Sequence, residues 1–327
     1  MRKSFVGAVC AAISMVIAIS SCQKEITQEQ MSSEKVKLQI SVPTAQTKVL
    51  SSVNESAVND YQVFLFNDNG VLEDYVHQDT PDITLECTMG SKTVAVLVNA
   101  PVMSNITTMT ALQNTVSKLS DNTFESFVME GQVPVEVNST DEISVEVPVS
   151  RKVAKIELQY LSVMFDMPQY NALPFKVSAV YLINAPGDMT YFSSAAPTLW
   201  LNKLGYVAED DNTFLYDDMN DVEVSLKSPY STHNVFYCYP NDSTEDSFST
   251  IWSPRCTRLV VEAMIGDMKY YYPVTLPKLE SNKKYNVSLI ITRPGAESAD
   301  VVVDKKEGNF SVVVQDWDDG GLVYKEI

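Results

Sequence analysis

Residues 61–76 read Tyr61-Gln62-Val63-Phe64-Leu65-Phe66-Asn67-Asp68-Asn69-Gly70-Val71-Leu72-Glu73-Asp74-Tyr75-Val76. Two apolar, aromatic-rich runs flank Asn69-Gly70, two residues that tolerate positive φ, and this is a strong short-range signal for a β-hairpin. The strand pattern spreads outward from there. Upstream, Val36-Lys37-Leu38-Gln39-Ile40-Ser41-Val42 alternates apolar and polar, the mark of a half-buried strand, and Pro43 ends it. Downstream, Ile83 to Cys87 and Thr93 to Val98 are further strands, the second apolar on both faces and therefore interior to a sandwich. Ile106, Met109, Leu112, Val116 and Leu119 then recur at three- and four-residue steps and predict a helix, capped by Ser104 or Asn105. Strands resume at Val133 to Val137 and Ile143 to Val149.

A second series begins near Arg151. Val153 to Leu161, Phe175 to Ile183, Val235 to Tyr239, Leu259 to Ile265, Lys269 to Leu276, Tyr285 to Thr292, Val301 to Val303 and Phe310 to Val314 are strands. Residues 186–234, rich in Asp, Asn, Ser and Tyr, read as long loops with short elements. The fold class is therefore mostly β with few helices. Two β-sandwich domains lie in tandem, residues 36–150 and 151–327. No low-complexity linker separates them, which predicts an extensive interface.

The N-terminus reads as an address. Arg2 and Lys3 precede an uncharged, mostly apolar stretch from Phe5 to Ile19, a secretory signal too short to span a bilayer comfortably. Residues 1–21 end in Ile19-Ser20-Ser21, and Cys22 follows, the pattern of a bacterial lipoprotein whose Cys becomes the acylated first residue. Residues 22–35 are polar and aperiodic, a flexible tether between lipid and folded body.

The 327 residues carry 24 basic against 42 acidic side chains, a formal charge of −18. That balance excludes nucleic acid, whose phosphates need a basic face. Only His77 and His233 are present, so no multi-histidine metal site is expected. No glycine-rich phosphate loop or Gly-x-Ser-x-Gly elbow occurs. Clustered carboxylates such as Asp217-Asp218-Met219-Asn220-Asp221 lack the calcium-loop spacing and read as solvated turns. No cofactor, metal or catalytic residue is expected, and the chain reads as a non-enzyme. Cys238 and Cys256 can pair in an oxidising compartment or stay as buried thiols in strands, and neither spacing nor composition decides.

The C-terminal block carries a more specific pattern. It runs Val235-Phe236-Tyr237-Cys238-Tyr239-Pro240-Asn241, Thr257-Arg258-Leu259-Val260-Val261-Glu262-Ala263 and Tyr271-Tyr272-Pro273-Val274-Thr275-Leu276. Leu279-Glu280-Ser281-Asn282-Lys283-Lys284-Tyr285-Asn286-Val287, Ile290-Ile291-Thr292-Arg293-Pro294-Gly295 and Asp316-Trp317 follow in order. With Ala95-Val96-Leu97-Val98-Asn99-Ala100-Pro101 and Val149-Ser150-Arg151-Lys152-Val153-Ala154-Lys155-Ile156, these segments resemble the Bacteroidales fimbrillins, the major fimbrial subunits of type V pili.

That resemblance implies two transthyretin-like sandwiches and export as an outer-membrane lipoprotein, palmitoylated at Cys22 and bound to the membrane through that lipid before cleavage. It also implies a trypsin-like protease cutting beyond the first strand, here between Lys48 and Val49. The cut would remove the first strand, leaving unpaired backbone groups and an apolar groove that another subunit's extended segment can fill. The resemblance sets the donor near the C-terminus, where Phe310, Val312 and Val314 alternate with polar residues. The implied partners are other pilin subunits: copies of this chain, an anchor and a tip. The implied end state is a cell-surface fimbrium serving adhesion. Two alternatives stand beside it: an uncut anchor or accessory subunit of the same pilus, and a surface glycan-binding lipoprotein using exposed aromatics such as Trp200 and Trp252.

Overall fold

The computed structural model describes residues 35–43, 55–203, 215–232, 234–245, 251–301 and 308–317. The mostly-β fold read from the sequence is what they form. The first block holds β1 (Val36–Ser41), β2 (Tyr61–Asn67), β3 (Leu72–Gln78), β4 (Ile83–Cys87), β5 (Gly90–Val98), α1 (Met109–Gln113), β6 (Val116–Lys118), β7 (Met129–Val137), β8 (Ile143–Glu146) and β9 (Ser150–Arg151). The second holds β10 (Ala154–Val163), β11 (Phe175–Ile183), β12 (Ala185–Pro186), β13 (Asp188–Thr190), β14 (Trp200–Leu201), β15 (Tyr216–Glu223), β16 (Asn234–Cys238), β17 (Arg258–Ile265), β18 (Met268–Thr275), β19 (Lys283–Ile291) and β20 (Gly308–Asp316).

In the first block a sheet ordered β3-β2-β5-β7-β9 faces a sheet ordered β4-β1-β8. Alternation decides which side chains meet. Val36, Leu38 and Ile40 of β1 pack with Val63 and Leu65 of β2, Ile83 and Leu85 of β4, and Val94, Val96 and Val98 of β5. The opposite face of β2 and β5 is also covered: Phe64, Phe66, Ala95 and Leu97 pack with Leu112 of α1 and with Tyr191 from the second block. This explains a run such as Thr93 to Val98 with no polar face.

The second block repeats the plan. One sheet is ordered β15-β11-β17-β18 and its partner β16-β10-β19-β20. The opening strands match: β1 is antiparallel to β4 and parallel to β8, and β10 is antiparallel to β16 and parallel to β19. In the larger sheets, β2 lies between β3 and β5 as β11 lies between β15 and β17. The addition is β20, laid antiparallel on the outer edge of β19.

Two sequence expectations are corrected. The helix is one short element, Met109–Gln113, capped by the Thr108 side chain accepting from the Ala111 N–H, not by Ser104 or Asn105. Val116, which the helical spacing counted as apolar face, instead opens β6 and pairs with Thr190 of β13. β-Branched residues at 107, 108, 110, 115 and 116 favour leaving the helix for that pairing. β15 is a full strand where long loops were expected. Only Met219 on it is buried, and Asn220 and Asp221 adopt positive φ in an irregular stretch, so no alternation marks it.

The blocks share a polar and aromatic junction. The Tyr239 hydroxyl bonds Ser117 Oγ at 2.7 Å and donates to the Lys118 carbonyl at 2.9 Å. Buried Lys152 pairs with Glu130 at 2.7 Å and donates to the Thr190 carbonyl at 3.1 Å. Burial pulls the Lys152 pKa down, and the Glu130 carboxylate opposes the shift.

Candidate functional site

The feature with functional content is β1 and the slot it fills. β1 is the middle strand of its sheet. On one side Val36 pairs with Cys87, Leu38 with Leu85 and Ile40 with Ile83. On the other Leu38 pairs with Ile143, Ile40 with Val145 and Ser41 with Glu146. Val36 and Leu38 are fully buried, and Ile40 and Val42 nearly so. Burial of four such side chains contributes on the order of 6–12 kcal/mol. Lys37, Gln39 and Ser41 point to solvent. The salt bridge from Lys35 to Glu86, 2.8 Å, is exposed and adds little.

Removing β1 would strip a partner from β4 and from β8 at once and open the apolar floor of Val63, Leu65, Val94 and Val96 between them. The void has the width of one strand, lined on both sides by unpaired N–H and C=O groups. Such a slot accepts an extended segment with apolar residues at every second position.

β20 presents that pattern. Its nine residues pair with β19 from Lys283↔Asp316 to Ile291↔Gly308. Val312 and Val314 pack half-buried on the second core, and Phe310 is 40% exposed. As an edge strand it is paired on one side only. Its end is held more firmly. Trp317 is buried, and its backbone N–H donates to the Asn282 carbonyl at 3.1 Å. Its indole Nε1 donates to Glu55 Oε2 at 2.9 Å.

Glu55 is a residue that sequence reasoning missed. Besides Trp317, its carboxylate accepts from Lys155 Nζ at 2.7 Å and the Tyr237 hydroxyl at 2.5 Å. Burial opposes its charged form, but the bonds from Lys155 and Tyr237 and the Lys155 charge hold its pKa below the ordinary value. The Tyr237 hydroxyl is pushed up, first by burial and then by Glu55. Nothing local distinguishes Glu55; the Trp317 and Arg151-Lys152 segments were visible as patterns, and their meeting point was not.

The remaining sequence candidates fall as follows. Cys22, Lys48, Val49 and His233 lie outside the described residues. No disulfide joins Cys238 to Cys256. Cys238 ends β16 inside the second core, where burial pushes its thiol up to about 12, while the Cys256 thiol donates to the Ser243 carbonyl at 3.2 Å. Trp200 is not the exposed aromatic that glycan stacking needs: it is 8% exposed and packs at 5.4 Å, tilted, against half-buried Trp252. His77 sits at 3.9 Å from Asp60 on the surface of β3.

Residues 35–149 match the family described as Major fimbrial subunit protein (FimA). No curated protein of similar sequence matches. Solved structures share the fold over both blocks. A candidate cell adhesion protein from Bacteroides eggerthii aligns with a TM-score of 0.65 at 20% identity, covering 87% of this chain and 96% of that one. A fimbrilin from Porphyromonas gingivalis W83 gives 0.62 at 14% identity, covering 86% and 96%. A C-terminally truncated tip fimbrial protein from Porphyromonas gingivalis gives 0.53 at 12% identity, covering 86% and 100%.

Proposed function

On the premise that this chain is a relative of the fimbrillins, carried by the family match of residues 35–149, we propose that it is a structural subunit of a surface fimbria. It is exported as a lipoprotein acylated at Cys22. A trypsin-like protease cuts between Lys48 and Val49, releasing lipid and β1 together, and the emptied slot is filled by an extended segment of the next subunit. That segment is the β20 region, with Phe310, Val312 and Val314 entering in place of Val36, Leu38 and Ile40. Copies joined this way do not close on themselves and grow as a filament.

The observation that carries the reading is the place of β1. It is the first strand of its sandwich, central in its sheet and paired on both edges, so one cut beyond it separates a whole core strand from the body. The test uses chain beginning at Val49. It should assemble into ladders that survive mild heating in detergent, and a peptide of residues 35–43 added in excess should block the ladder by refilling the slot. Trimmed protein that stays monomeric, or ladders indifferent to the peptide, would contradict strand exchange.

One observation favours a second reading, an uncut anchor or accessory subunit: β20 is docked on its own sheet with Trp317 buried. In that case cell-surface protein keeps Cys22 and β20 never leaves β19. The glycan-binding reading loses its support with the burial of Trp200.

A further inference from the structure

Glu55 joins the segment between β1 and β2 to the far end of β20. Its carboxylate partners come from β10, β16 and the residue after β20: Lys155, Tyr237 and Trp317. The backbone of the same turn is gripped as well, since Arg151 Nε donates to the Glu55 carbonyl at 3.0 Å and Arg151 Nη2 to Ser56 Oγ at 2.6 Å. The Trp317 ring is stacked on Tyr237 at 5.5 Å and meets Phe127 edge-on at 5.4 Å. The Arg151 guanidinium lies 4.6 Å from its centroid.

We propose that Glu55 is a latch that keeps β20 docked on its own sheet, and that cutting the chain ahead of Glu55 loosens the latch and frees β20 for donation. The inference rests on the strand-exchange reading above and adds the device that would time it.

The argument is one of tethers. In the intact chain Glu55 lies between two anchored strands, β1 held by β4 and β8, and β2 held by β3 and β5. A residue tethered covalently on both sides has less freedom than one tethered on a single side. Once the chain is cut, Glu55 is tethered covalently from the β2 side alone, and the bonds to its carboxylate and backbone must hold it with one covalent restraint fewer. The rest of β20 cannot compensate well. It pairs on one edge, Phe310 is 40% exposed, and Val312 and Val314 are half-buried. Trp317 is its one fully enclosed anchor among the described residues. Because Asp316 pairs with Lys283 and Gly308 with Ile291, loss of the Trp317 end would peel the strand from the junction of the blocks outward. The freed strand would stay attached to the chain at Gly308, the end remote from the junction.

Hydrogen exchange of residues 308–317, read by mass spectrometry on the full chain, tests the latch. Glu55→Gln removes the charge from all three bonds; Trp317→Phe keeps an aromatic ring but deletes the indole donor together with part of the ring's packing, and reads the same end of the strand if Glu55→Gln fails to fold. Each should speed exchange in 308–317 roughly tenfold or more, the value of losing a charge-assisted bond, while β2 and β5 exchange as in the parent. A trimmed chain starting at Val49, kept monomeric by the residue 35–43 peptide, should also exchange faster in 308–317 than the full chain, because its slot is full but its link is cut. Unchanged protection of 308–317 in the variants overturns the latch, and unchanged protection in the capped trimmed chain overturns its coupling to cleavage, even if ladders form. Faster exchange in all three with no ladder formation leaves the latch standing and removes the strand-exchange reading.

Discussion

At the residue scale, small polar and apolar details decide whether β1 is held. Leu38 is fully buried and pairs on both sides, with Leu85 and Ile143. Leu38→Ala should cost the uncut chain about 2–5 kcal/mol through lost burial and a cavity, measured by urea unfolding. The same change is silent in chain starting at Val49, which lacks the residue. Glu55 gives the acid limb of stability. Its folded pKa lies below the ordinary carboxylate value of 4.5. Its contribution is therefore present above that value and lost as pH falls through the folded pKa. The groups facing its carboxylate are Lys155, Tyr237 and Trp317, and Arg151 bonds its backbone carbonyl. Unfolding midpoints between pH 7 and pH 3 should fall more steeply for the parent than for Glu55→Gln. Equal slopes would show that the carboxylate contributes nothing. Neither Leu38's double pairing nor Glu55's role was legible residue by residue. Leu38 was legible as one apolar position in an alternating run, whereas Glu55 depends on a partner 262 positions away.

At the element scale, alternation was the informative signal and its absence the source of error. β1, β4 and β11 fall where their periodicity put them, because each has a fully apolar inward face. β15 was lost because its pairing depends on backbone groups and one inward methionine. The helix was overextended because 106–119 is apolar at helical spacing, yet its second half satisfies a two-stranded pairing with β13. β7 carries a feature readable only in three dimensions. A Cβ on Gly131 would lie 2.0 Å from the Pro148 carbonyl oxygen, so the strand passes too close to the chain entering β9 for any side chain. Gly131→Ala should destabilise the first block by about 1–3 kcal/mol through forced backbone displacement. The expected readout is a lowered melting temperature; an unchanged melting temperature would refute the close approach.

At the scale of the whole molecule, two sandwiches of one strand plan differ in how their edges are closed. The second carries β20 beyond β19, and the first stops at β8 among the described residues. The opening strand of the first sandwich precedes the expected cut, while its counterpart β10 lies in the middle of the chain and stays. Removal of β1 therefore empties one sandwich while every strand of the other stays in the chain, and β20 is an alternating strand of suitable length held on a single edge. The fold class and the two-block order were legible because strand signals dominate the chain. That β1 is central in its sheet and not an edge was visible only in three dimensions.

The most direct test is the N-terminus of this protein in material sheared from the cell surface, determined by mass spectrometry and read with its migration before and after heating in detergent. The account predicts a start at Val49 in a high-mass ladder that collapses to monomer only on strong heating. An acylated Cys22 confined to the membrane pellet, with no ladder, would contradict it and leave the anchor reading.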